Sequence, residues 1–125
     1  KRVPIQSFNA LRDQPVDTYE AVFRCMRQLR FSYPEFVQLF KRMVFNILIG
    51  NTDESGKNIF FICHHASEWH LAPASGLFPT PWIKNHRLSV CGKTSDIQIE
   101  DLVRFGELQN IRKCGSIVKK IKDSI

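Results

Sequence analysis

The sequence predicts a mainly helical α+β domain with one small β-hairpin. Four segments place apolar residues three and four apart, the spacing of an amphipathic helix. The run Ile59-Phe60-Phe61-Ile62-Cys63 is apolar throughout and is followed by Trp69-His70-Leu71, as paired strands would be. The chain has 125 residues, 43% hydrophobic and 24% charged, a length and balance suited to one domain (residues 1–125) around a single core.

Residues 1–16 are mixed in character, and Pro4 and Pro15 argue against a long helix there. Asp17 with Glu20 three residues later has the form of a capping box, so a helix is expected from there to about Arg30. Its apolar face would be Tyr19, Val22, Phe23, Met26 and Leu29. Ser32 with Glu35 repeats the start signal, and Pro34 is tolerated because it falls in the first turn. This second helix runs to about Ile49 and presents Phe36, Val37, Phe40, Met43, Val44, Ile47 and Leu48, a stripe wide enough for a central core helix. Gly50 ends it, being able to take a positive φ.

The texture then changes. Residues 51–58 are polar throughout and read as a loop. A strand at 59–63, a turn at 64–68 and a strand at 69–71 make the hairpin. Residues 72–85 carry Pro73, Pro79, Pro81, Gly76 and Trp82 and read as an irregular crossing. A short strand is expected at 88–90 with Gly92-Lys93 as a turn, then helices at 99–109 (Leu102, Val103, Phe105, Leu108) and 114–125 (Ile117, Val118, Ile121, Ile125).

Composition excludes several classes. No run reaches the ~18–20 apolar residues of a membrane span, since Asn46 interrupts the densest one. The opening residues KRVPIQSFNALRDQP contain no apolar signal-peptide core, so no signal peptide is expected within them. Cys25, Cys63, Cys91 and Cys114 show no CxxC spacing and read as reduced thiols, which implies a cytoplasmic location. The spacing of Cys63, His64, His65 and His70 suits no structural zinc site, and no serine sits in a nucleophile-elbow glycine pattern. With 18 Lys and Arg against 12 Asp and Glu, the formal charge is +6, which favours acidic partners through long-range steering. Part of the excess (Arg112, Lys113, Lys119, Lys120, Lys122) lies near the last helix, where it reads as a solvated face; no aromatics alternate with it as in a nucleic-acid surface.

The 51–58 loop is where chemistry could reside, because it joins a buried helix to a buried strand. Asp53 and Asn58 have four residues between them. In protein kinases this spacing lets one loop present a carboxylate to the attacking hydroxyl and an amide oxygen to Mg²⁺, and Lys57 would add a positive charge for the transferring phosphoryl group. The same spacing also suits a polar turn whose Asp caps the following backbone.

A wider pattern bears on that choice. Val44-Phe45-Asn46-Ile47-Leu48-Ile49-Gly50-Asn51-Thr52-Asp53, then Gly56-Lys57-Asn58, then Trp69-His70-Leu71-Ala72-Pro73-Ala74 resembles the C-terminal lobe of the HipA family. Members are bacterial serine/threonine kinases that act as toxins in toxin–antitoxin pairs. His86-Arg87-Leu88-Ser89-Val90-Cys91-Gly92-Lys93 is similar to the family's H-x-L-x-I-x-G-K, Ile99-Glu100-Asp101-Leu102 to its next helix start, and Arg2-Val3-Pro4-Ile5-Gln6-Ser7-Phe8 to the segment after its hinge. The resemblance covers nearly the whole chain and implies the helical C-lobe of a HipA-like protein-kinase fold. It implies Asp53 as catalytic aspartate, Lys57 near the phosphates, Asn58 as a Mg²⁺ ligand, and ATP and Mg²⁺ as cofactors.

Two departures stand out. The family commonly has His two residues after the catalytic Asp, where this chain has Ser55. The family's L-x-P-x-Y-D carries a second metal-binding Asp, whereas the matching positions here are Leu71, Pro73, Ser75 and Gly76. The Gly-rich loop and strand lysine of the other kinase lobe are also absent from these residues. The expectation is therefore a kinase C-lobe that is inactive as this isolated chain, with an N-lobe supplied elsewhere as a partner. Further partners implied by the resemblance are a HipB-like antitoxin, DNA only indirectly through that antitoxin, and a protein substrate such as an aminoacyl-tRNA synthetase; a membrane is not expected. The alternative is a degenerate pseudokinase lobe kept as a binding module for an antitoxin or partner lobe.

Overall fold

In a computed structural model, side chains are described for residues 18–50, 70, 71 and 88–125, and backbone alone for 5–7, 60–65, 68 and 69. Among the described residues, four helices, α1 (Tyr19–Gln28), α2 (Tyr33–Ile49), α3 (Ile99–Leu108) and α4 (Cys114–Ser124), accompany three short strands, β1 (Ile5–Ser7), β2 (Phe60–His65) and β3 (Glu68–Leu71). The fold is mainly helical, as the apolar spacing predicts, and the hairpin is present as β2 and β3.

The helical core assembles around phenylalanine rings. Phe23 of α1 meets Phe105 of α3 edge-on at 5.1 Å between centroids and lies 5.9 Å from Phe36 of α2. Phe40 of α2 lies nearly parallel to Phe105 at 6.5 Å. Offset and edge-to-face pairs of this kind add to the gain from area burial because ring edges are positive and faces negative. Val22, Met26, Leu39, Met43, Val44, Leu102 and Val118 close the core around them. α4 packs on both α2 and α3.

One close approach sets the spacing between α3 and its neighbours. A Cβ placed on Gly106 would lie 2.5 Å from Cys114 Cβ and 3.0 Å from both Cys114 Sγ and Phe40 Cζ. Glycine in mid-helix is unfavourable by propensity; here it lets α4 and the Phe40 ring press against the α3 backbone. The Cys114 thiol donates to Val103 O across the same contact.

Helix ends explain why two boundaries carry no glycine. After α1, Arg30 takes φ 60° and the N–H of Phe31 reaches back to Met26 O while that of Arg30 bonds Arg27 O. After α3, Asn110 takes φ 62°, with Ile111 bonding Gly106 O and Asn110 bonding Glu107 O. Both are Schellman closures, which place an apolar residue just past the left-handed one against the helix. Phe31 and Ile111 are accordingly buried. Arg112 next donates its N–H to Tyr33 Oη at 2.8 Å and lays its guanidinium 5.5 Å above that ring, so this member of the basic cluster is stacked on the start of α2.

Four local expectations are corrected. Thr18 rather than Asp17 caps α1, accepting the N–H of Ala21 at 3.0 Å. The hairpin turn is tighter than residues 64–68: β2 continues to His65 and β3 begins at Glu68, with an irregularity between Cys63 and His65 that admits one extra residue. Ile5–Ser7, which had no strand signal, pairs antiparallel with β2 in the order β1-β2-β3. Three residues are too few to show an alternating pattern, so pairing with a distant strand supplies what local sequence does not. Finally, 88–90 forms isolated bridges instead of a strand. Val90 and Lys93 exchange both backbone hydrogen bonds across Cys91 (φ 49°) and Gly92 (φ 79°), the two positive values of a type I′ turn.

That turn straps two helix starts together. Tyr19 donates its N–H to Ser89 O at 3.0 Å. Glu20, whose expected capping partner would be Asp17, instead accepts the Cys91 N–H at 2.9 Å. Lys93 Nζ reaches Asp101 in the first turn of α3 at 2.9 Å, and the same carboxylate oxygen accepts the Gln98 N–H at 2.9 Å. Burial, then the negative charges of Glu20 and Asp101, push the Cys91 thiol up, so it stays protonated at neutral pH. The Gln98 amide, then Lys93, hold the Asp101 carboxyl below its usual range.

Two outcomes follow. Gly106→Ala should destabilise the fold by about 1–3 kcal/mol in urea melts, the opposite sign to the gain of about 1 kcal/mol that helix propensity alone gives. Because the Asp101 pKa is depressed on folding, its contribution is complete above the unfolded carboxyl value and is lost as pH falls through the folded one. Asp101→Asn should therefore flatten the acid limb of stability against pH below about pH 4, read from urea midpoints across an acid series.

Candidate functional site

The site expected at Asp53, Lys57 and Asn58 lies in 51–59, outside the described residues, as do Ser55 and Gly76 and the side chains of Cys63, His64 and His65. What the structure describes is the frame from which those segments leave. α2 ends at Gly50, whose φ of 76° is left-handed and whose N–H bonds Asn46 O and Ile47 O. β2 begins at Phe60. The register pairs Phe61 with Leu71, so the end of β3 lies opposite the start of β2. Phe60, which follows the stretch with Asp53 and Asn58 in sequence, and Leu71, which precedes the stretch with Gly76, therefore lie at the same end of the hairpin.

The Glu35 side chain joins α2 to that end of the hairpin. Glu35, in the first turn of α2, accepts the Leu71 N–H on Oε2 at 3.0 Å and meets His70 Nδ1 with Oε1. Its carboxylate is 14% exposed and His70 is 38% exposed, so this is a partly desolvated contact and stronger than an open surface pair. Ser32, as expected, occupies the N-cap of α2, but makes no side-chain cap bond. The sequence signal that reads as a capping box is therefore used differently: the glutamate holds a strand 36 residues away.

α2 carries a second polar feature that apolar spacing conceals. Arg42 and Asn46 are 7% and 1% exposed in a helix whose other buried residues are apolar. They stand one turn apart on a line that runs toward Gly50. Buried polar groups are costly unless engaged, and neither of these is without a partner. Asn46 belongs to the motif that leads into Asp53; Arg42 gave no sequence signal, since arginine at a core-facing helical position is indistinguishable from a surface one until the helix is packed.

Among the described residues no group of three His, Cys, Asp or Glu side chains could hold a metal ion, and no described helix is long and apolar enough to cross a membrane. Cys25, Cys91 and Cys114 form no disulfide, and Cys25 and Cys114 are buried.

A mainly helical domain whose long central helix is tied by its own first turn to a hairpin is the class defined by this geometry. The family is shown by comparison: the chain matches the HipA-like C-terminal domain over residues 1–125, and it belongs to that family. No curated protein matches the chain.

Removing the Glu35 carboxylate tests the tie. Glu35→Ala should cost about 2–3 kcal/mol, the value of bonds to a charged group plus an amide left unpaired. The Leu71 amide should lose hydrogen-exchange protection more than amides of α3 and α4 do, measured by native-state exchange.

Proposed function

We propose that this chain is the C-terminal lobe of a HipA-like serine/threonine kinase, contributing the catalytic aspartate but only part of the metal site. The observation that carries the reading is the order Gly50, Asp53, Lys57, Asn58, β2, set between a left-handed helix cap and a hairpin in a chain matching the HipA-like domain end to end. In this reading Asp53 accepts the proton of the attacking serine or threonine hydroxyl as its oxygen bonds to the γ-phosphorus of ATP and the bond to ADP breaks. Lys57 offsets charge on the phosphoryl oxygens.

The donor set fits magnesium incompletely. Mg²⁺ is ordinarily held by one or two carboxylates together with substrate phosphates. Here Asn58 is neutral and Gly76 stands where the family has a carboxylate, so no step is assigned to the metal. Losing such a ligand removes several kcal/mol of charge stabilisation, on the order of 10³-fold in rate. The Gly-rich loop and strand lysine that cover ATP must come from an N-lobe outside these 125 residues. A HipB-like antitoxin and a protein substrate such as an aminoacyl-tRNA synthetase belong to this reading as partners.

A second reading, a pseudokinase lobe retained for binding, is favoured by Gly76 and Ser55. Supplying an N-lobe and measuring Mg·ATP-dependent phosphorylation separates the two. The kinase reading expects weak activity that Asp53→Ala abolishes, and a rise on the order of 10³-fold with Gly76→Asp, alongside tighter Mg²⁺ in a calorimetric titration. Activity equal to that of Asp53→Ala in both the parent and the Gly76→Asp protein would leave the binding-module reading.

A further inference from the structure

Independently of the kinase reading, we infer that the groove between α2 and α4 is a docking site for an acidic, amphipathic helix of a partner protein. The groove has a volume of about 360 Å³ and is lined by Lys41 of α2 and by Ile117, Lys120, Ile121 and Ser124 of α4. On α4 the buried stripe is Cys114 and Val118, whereas Ile117 and Ile121 form a neighbouring stripe that is half-buried against the core. Two isoleucines one turn apart match the spacing of apolar anchors on a helix laid into a groove.

Charge selects the occupant. Lys41 and Lys120 are both exposed and stand on opposite walls of the groove. No acidic side chain is among its described lining residues, and neither lysine takes part in the described ion pairs, which are Glu35 with His70 and Lys93 with Asp101. Lys119 and Lys122 add to the same helix, against Asp123 alone. An aliphatic floor between two unneutralised cations suits a segment with leucine-like anchors flanked by Asp or Glu. Nucleic acid suits it less well: bases need aromatic faces to stack on, and none is among the described lining residues. The net charge of +6 steers an acidic partner at long range, and the rim lysines fix its register. Lys41 stands about two and a half turns before Gly50, so a partner seated here leaves the end of α2 open.

The test uses the full 125-residue chain, ¹⁵N-labelled. The probes are a helical peptide with leucines one turn apart and glutamates on either side, the same peptide with lysines for glutamates, and a single-stranded DNA oligonucleotide. The acidic peptide should shift the amide resonances of Lys41, Ile117, Lys120, Ile121 and Ser124. Binding should weaken about tenfold or more in the double variant Lys41→Glu/Lys120→Glu, whose exposed positions leave the folded spectrum dispersed, and the lysine peptide should then bind that variant better than it binds the parent. If the variant spectrum collapses, Lys41→Gln/Lys120→Gln serves in its place, with weakened acidic-peptide binding expected. Overturning results are shifts centred elsewhere, no measurable binding of the acidic peptide, unchanged affinity in the charge variants, or oligonucleotide binding at these residues as tight as that of the peptide.

Discussion

The contact on which the rest of the structure depends is the meeting of Phe23, Phe40 and Phe105, with Gly106 beside it. Three helices supply those rings, and none can shift along its axis without opening a gap or driving Phe40 into the α3 backbone. Close-packed interiors transmit such constraints because they have little free volume. Fixing α3 against α2 at this point also fixes Cys114 on Gly106, and with it the seat of α4. The groove that α4 shares with α2 is thus set by a core contact that none of its own lining residues makes.

α2 then serves two structures at once. Its apolar stripe faces the phenylalanine cluster, while its first turn reaches the hairpin through Glu35 and its last residue delivers the chain to the 51–59 segment. A charge-assisted contact at one end and a left-handed glycine at the other brace the helix between β3 and the point where the chain continues past Gly50. Arg42 and Asn46 are the polar residues buried between those ends.

The 88–93 turn plays a comparable part for α1 and α3. Glu20, Ser89, Cys91, Lys93 and Asp101 form a connected set of hydrogen bonds between two helix starts. Its longest single bond, between Glu20 and Cys91, spans 71 residues. The family pattern over His86–Lys93 marks this segment as meaningful, yet its role as a strap is visible only when both helices are in place. The positive φ at Cys91, a residue type that rarely adopts it, is held by those bonds on either side.

Helix existence, the hairpin and most of the core were legible from spacing, because an apolar stripe at intervals of three and four must be buried somewhere whatever the partner. Tyr19, Val22, Phe23, Met26, Phe40, Met43, Val44, Leu102, Phe105 and Val118 all lie inside. The sequence by itself also determined membership of a HipA-like domain and the order of the residues proposed for its chemistry. Tertiary structure alone decided what Glu35 and Glu20 bind, why Gly106 is glycine, that Ile5–Ser7 is a strand, and that Arg42 is buried. Each of these is a contact between residues distant in the chain, and a polar side chain carries the same local signal whether it caps its own helix or grips a strand brought to it by folding.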